Sequence, residues 1–183
     1  DFTKTCEWLK GLGAAPRWEL MQDSDAQNCV KDVMGCQLSW SDTVLPPVDK
    51  GVAGVLTLTG HSSTGWEPPM SFTLSEDWRV AVRGAPTMTT LKEKRNDLHL
   101  KPWQDTPEAL EAPPLLALRQ VGKGRMAVLA IRYYWLFSPP SNCPTTEVML
   151  SKGTGNRPSA WLTVCANTFR WLAEPTLAAG KGG

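Results

Sequence analysis

The chain predicts an α/β fold in which a mixed sheet is flanked by helices and the middle of the sequence is rich in strands. Three observations predict it. Gly122-Lys123-Gly124-Arg125 opens the apolar run Met126-Ala127-Val128-Leu129-Ala130-Ile131. Glycine tolerates positive φ, so the turn is easily made, and the run lacks the polar alternation of a half-exposed strand, so it reads as a buried one. Residues 159 to 173 then carry an amphipathic helical pattern, and three stretches between residues 51 and 83 alternate with a period of two.

Length and composition bound the class. The 183 residues are enough for one domain with a substantial core, and a hydrophobic content of 42% is ordinary for a globular protein. We expect a single domain over residues 1–177 and a disordered tail over 178–183. The net charge of +1, from 19 basic and 18 acidic residues, provides no field to steer nucleic acid or an anionic membrane, so neither is an expected partner. No apolar stretch reaches the roughly 18 residues that span a bilayer. The N-terminus has no basic region followed by an apolar signal core. It opens without methionine and with Phe2, Trp8 and Leu9 already at helical spacing, as expected of a soluble segment cut from a longer, exported precursor whose signal has been removed.

Element by element, Phe2, Cys6, Leu9 and Leu12 predict a first helix ended by Gly11 and Gly13 before Pro16. Ser24 or Asp25 would cap a second short helix through Val33, stopped near Gly35. Val44-Leu45-Pro46-Pro47 is a loop, and the stretch from Gly51 to Thr59 ends as a strand. Met70–Leu74 and Trp78–Arg83 alternate as two more strands, the second punctuated by Gly84-Ala85-Pro86. Residues 91 to 114 are charged and proline-rich and read as a long surface loop. Leu115–Val121 turns at Gly122-Lys123-Gly124 to pair with the strand from Met126, the best hairpin in the chain. Residues 138 to 158 are a loop. Pro158-Ser159 opens a helix whose Trp161, Val164, Cys165, Thr168, Phe169 and Leu172 form the buried stripe, with Pro175 as its stop.

The Gly-Lys-Gly-Arg turn into an apolar strand, followed by a helix ending Asn167-Thr168-Phe169-Arg170-Trp171-Leu172-Ala173-Glu174-Pro175, resembles the C-terminus of class I glutamine-amidotransferase-like, or ThuA-like, domains. The resemblance covers roughly residues 113 to 177. It implies a flavodoxin-type α/β sandwich that sits beside a hydrolase or carbohydrate-active domain in a larger protein. It carries no activity across by itself, because function requires a matching site.

No convergent set of catalytic side chains stands out. A class I amidotransferase needs a cysteine on a glycine-flanked strand-to-helix elbow, together with a histidine and a glutamate. Cys36 in Met34-Gly35-Cys36-Gln37-Leu38 matches only in its preceding glycine, so a structural cysteine is the better reading. His61, just past a strand end, sits where open α/β sheets place ligands and is the catalytic candidate. Its plain alternative is an ordinary loop histidine. A hydrolase acting on glycans would pair it with Glu67 or Asp97. Asp97 with His99 offers a carboxylate–imidazole pair, though a solvated charged loop accounts for both. The cations of Gly122-Lys123-Gly124-Arg125 attract anions, but the segment lacks the long glycine-rich loop of a phosphate cradle, and a hairpin turn explains it.

The five cysteines, Cys6, Cys29, Cys36, Cys143 and Cys165, lack the close paired spacing of a zinc site, and no metal or cofactor is expected. Cys29 and Cys36 are near enough for a disulfide, while Cys6 and Cys165 fit helix faces as small apolar residues. Nine tryptophans stand against two tyrosines, and most fit a core, with Trp8, Trp161 and Trp171 in amphipathic patterns. Trp66 and Trp103 lie among prolines in loops, and they are the candidates to stack on a carbohydrate or anchor a neighbouring protein domain. The leading expectation is therefore a non-catalytic accessory domain for ligand binding or interaction, with the glycan-directed hydrolase through His61 as its rival.

Overall fold

The computed structural model describes residues 2–17, 21–31, 37–59, 71–90, 108–130 and 144–179. Helix α1 (Phe2–Gly11) forms where the spacing of Cys6 and Leu9 predicts it. Gly13 follows it at φ +74°, the left-handed conformation of a helix C-terminus, and a Cβ there would meet Ser75 Oγ at 2.2 Å. The Leu12 carbonyl accepts from Trp78 Nε1 at 2.8 Å and from the Arg119 guanidinium, so two later segments of the chain hold the end of α1 in place.

Strand β1 (Ala14–Arg17) pairs with β6 (Ser71–Leu74), and β2 (Met21–Asp23) pairs with β8 (Met88–Thr90). Strands β3 (Cys29–Lys31), β4 (Gln37–Ser41) and β5 (Val55–Leu58) form a three-stranded sheet. A second has β9 (Pro114–Val121) in the middle, between β7 (Arg79–Arg83) and β10 (Gly124–Leu129). Mixed helix and strand is as the sequence predicts. The sheet is not mixed, however, because every pairing among the described strands is antiparallel. The β9–β10 pair shows why locally. Val121 and Gly124 are in register across a two-residue turn with Gly122 at φ +57°, and only antiparallel strands can be joined so tightly.

Burial along this sheet differs from expectation. The run from Met126 is an edge strand in which Met126, Ala127 and Leu129 are only half-buried. The strand buried throughout its apolar part is β9, whose Leu115, Leu116, Ala117 and Leu118 expose at most 2% each, because it has a neighbour on either side. β9 also divides the apolar interior. Leu116 and Leu118 join a larger core with Leu38, Val55, Leu56, Val82, Met149, Trp161 and Val164. Ala117 joins a smaller one with Ala14, Phe72, Trp78 and Val128, against which Leu9 and Leu12 pack.

The helix expected from Ser24 to Val33 is absent over the described residues 24–31, Asp32 and Val33 lying outside them. Asp23 Oδ1 accepts the Asp25 N–H at 3.0 Å, and Asp25 Oδ1 accepts the Gln27 N–H at 2.8 Å. These side chains satisfy the local backbone as turns, which competes with helix, and Cys29–Lys31 then pairs with β4. Conversely, the stretch read as loop from 138 to 158 contains helix α2 (Pro144–Glu147), continued by a π-helical turn at Val148–Lys152. Strand β8 was not predicted either; it follows the Gly84-Ala85-Pro86 punctuation directly.

Helix α3 (Trp161–Ala179) begins two residues later than its sequence signal and does not stop at Pro175. Ser159 does not serve the helix: its hydroxyl accepts the Leu56 N–H at 2.9 Å and donates to the Met149 carbonyl. With Trp161 Nε1 donating to the Leu56 carbonyl at 2.8 Å, both peptide groups of Leu56 are occupied and that edge of β5 is closed. Past the proline, the helix runs to Ala179, into the segment expected to be tail. No helix among the described residues is long and apolar enough to cross a membrane.

Candidate functional site

His61, Trp66, Trp103, Glu67, Asp97, His99 and Cys36 lie outside the described residues. The site is therefore built from the rest of the chain, beginning with its thiols. Cys6, Cys29 and Cys165 are free. Burial pushes all three thiols above their ordinary pKa. For Cys29 the carboxylates of Asp23 and Asp25 push the same way, against a side-chain hydrogen bond with Gln37. A raised pKa keeps a thiol protonated and lowers its reactivity.

A buried polar cluster surrounds Asp23, which is 6% exposed. Thr87 Oγ1 donates to its Oδ1 at 2.7 Å, Ser39 Oγ donates to Oδ2, and the Asp25 N–H adds a third bond. Ser39 is fully buried, and this cluster ties β2 and β4 to the turn before β8. Among the described residues there is no group of three or more His, Cys, Asp or Glu placed to hold a metal ion.

An open concavity among the described residues lies between α3 and the loop after Pro46. It is a groove of about 770 Å³ lined by Pro47, Lys50, Asn167, Arg170, Trp171, Glu174 and Leu177. Its size falls within the roughly 300–1,000 Å³ of small-molecule sites. Asn167 builds it. Its Nδ2 donates to the Val48 and Lys50 carbonyls, each at 2.9 Å, fastening the loop to the helix, and its Oδ1 accepts from Arg170 Nη1 at 2.9 Å. The groove is electrostatically uneven. Glu174 is held by Arg125 in an ion pair of 2.5 Å, whereas among the described residues neither Lys50 nor Arg170 has a carboxylate partner. Lys50 and Arg170 thus line the groove together with the Trp171 indole and Pro47.

The sequence did not point to this groove. Its pattern predicts Trp171 as core, and the residue does pack against the larger core, but it is half-buried and also contributes to the groove wall, and Arg125 stacks on its ring at 4.8 Å. Asn167 and Arg170 are three apart on a helix, a spacing that brings side chains together, and that was the one available signal. It gave no hint of the loop that Asn167 captures from 119 residues away. The Gly122-Lys123-Gly124-Arg125 segment is a hairpin turn, as its plain reading has it, and its arginine is turned toward α3. Trp40 and Trp78 are also committed to structure, through Nε1 bonds to the Pro158 and Leu12 carbonyls, while Trp8, expected in a core, is 57% exposed. No family model, no curated protein and no solved structure matches this chain.

Proposed function

We propose that this chain is a non-catalytic accessory domain, of the amidotransferase-like kind that its C-terminal third resembles, and that it binds a small anionic ligand of carbohydrate type for a larger protein. The observation that supports this reading is the groove beside α3. Indole and proline surface there suits the apolar face of a sugar ring. Lys50 and Arg170, free of carboxylate partners among the described residues, suit a carboxylate on that ring. The two segments that carry the resemblance are in direct contact, Arg125 of the turn with Trp171 and Glu174 of the helix.

Titration calorimetry with an oligouronate, against a neutral oligosaccharide of the same length, tests the reading. Binding of the acidic oligomer is expected, weakened by added salt because the cations are solvent-accessible. It should fall at least tenfold in the Lys50→Gln, Arg170→Gln double variant, roughly the loss of one charge-assisted hydrogen bond. Equal affinity for the neutral oligomer, or an unchanged affinity in the double variant, would overturn it.

A further inference from the structure

Helix α3 carries two apolar faces. One is buried, with Trp161, Val164, Asn167 and Thr168 each at most 8% exposed. On the opposite side Leu162, Phe169 and Leu177 are 59%, 66% and 62% exposed, half of the large hydrophobic side chains that stand exposed among the described residues. Ala166 and Ala173 fall between them. At 100° per residue these five positions occupy an arc of about 80°, centred some 160° from the buried face. An exposed apolar stripe on a helix marks an interaction surface, so this face is built to be covered.

The order of the residues along the stripe says by what. Leu162, Ala166, Phe169, Ala173 and Leu177 read nearly the same in both directions about Phe169. If a second α3 is laid antiparallel on the first, so that paired numbers sum to 339, Leu162 meets Leu177, Ala166 meets Ala173, and the two Phe169 rings lie together at the centre. A pattern that is its own complement is the signature of an isologous two-fold contact. The alanines allow close approach of the helices, and antiparallel packing also opposes their dipoles favourably. The charges on α3 argue against a lipid surface. Arg170 and Glu174 are its only charged residues, and an interfacial helix needs a basic polar face.

We infer that the exposed face of α3 is a homodimer interface, in which a second copy of this chain packs antiparallel through Leu162, Phe169 and Leu177. The stripe is smaller than the roughly 800 Å² that each partner buries in a standard interface, so the association is a weak one.

Sedimentation equilibrium of the full chain tests it. The native chain is expected to show twice its 20.1 kDa mass at high concentration. Phe169→Glu is expected to remain a monomer with an unchanged circular dichroism spectrum, since the ring is exposed and does not line the groove. A charge-pair rescue fixes the direction. Leu162→Lys and Leu177→Glu should each abolish dimerisation singly and restore it when combined in one chain, because only antiparallel packing sets position 162 against 177 of the other copy. A native chain that stays monomeric would overturn the inference and leave the stripe to a different protein surface. So would a dimer that survives Phe169→Glu, or a double variant that fails to recover. Leu177 also borders the groove, so Phe169→Glu, which lies off it, is the variant that separates this inference from the proposed function.

Discussion

Arg125 Nη1 donates to the Trp171 carbonyl at 2.6 Å, and Trp171 is the residue four places before Pro175. Proline has no N–H, so within α3 this carbonyl lacks its ordinary helical donor. The guanidinium supplies the missing bond, stacks on the Trp171 ring at 4.8 Å and pairs with Glu174. This is why the helix passes through Pro175. Removing the donor leaves a half-covered carbonyl unpaired, so Arg125→Met is expected to cost about 1–3 kcal/mol. In a Pro175→Ala background, where residue 175 can again donate, the same change should cost about 1 kcal/mol less. Urea unfolding of the four proteins measures the coupling, and strict additivity would refute the compensation.

A second prediction concerns Gly54. A Cβ there would lie 2.6 Å from three atoms of the Trp40 indole. The indole is not free to retreat, because Nε1 donates to the Pro158 carbonyl at 2.8 Å and the Arg157 guanidinium covers the ring at 4.7 Å. Gly54→Ala should therefore destabilise by about 1–3 kcal/mol, the usual cost of overpacking. Gly124→Ala should cost less, since a Cβ there meets nothing nearer than 3.5 Å. Thermal unfolding compares them, and equal midpoints would contradict the argument.

These cases show which features were legible in the sequence. The β9–β10 hairpin could be read because its turn is specified by two adjacent residues and its strands by their own patterns. The end of α3 could not, because the residue that rescues Pro175 lies on a different element. The buried stripe was misplaced toward Phe169, which is 66% exposed, while the buried positions include Asn167. Periodicity locates apolar faces but does not rank two of them, and a polar residue that holds a distant loop looks exposed from sequence. The groove was hidden for the same reason, since its loop is positioned by a single asparagine that binds two of its carbonyls.

The closure of β5 gives a third prediction. Ser159 Oγ and Trp161 Nε1 occupy the N–H and carbonyl of Leu56, and all three residues are buried. Ser159→Ala strands the Leu56 N–H without water and should cost about 1–3 kcal/mol. Hydrogen exchange provides the sharper readout. The Leu56 amide should lose protection in Ser159→Ala well beyond what the change in global stability explains, whereas amides of β9 should follow global stability alone. Uniform loss across both sheets would show that Ser159 acts on packing and not on this edge.

The thiols supply the pH dependence. Burial raises the pKa of Cys6, Cys29 and Cys165 in the folded chain above the ordinary value that an unfolded chain would show. A raised folded value means that the folded state holds its proton when the unfolded state has released it. The stabilising contribution is then complete below the ordinary thiol range, near pH 8.5, and is lost as pH rises through the raised values. Stability should accordingly decline on the alkaline side of that range, and Cys165→Ala should flatten the decline. At neutral pH these three thiols should react with iodoacetamide more slowly than free cysteine, as followed site by site by mass spectrometry. Alkylation of Cys29 or Cys165 at the rate of an unhindered thiol would show that the site is open to solvent and that burial does not hold its proton.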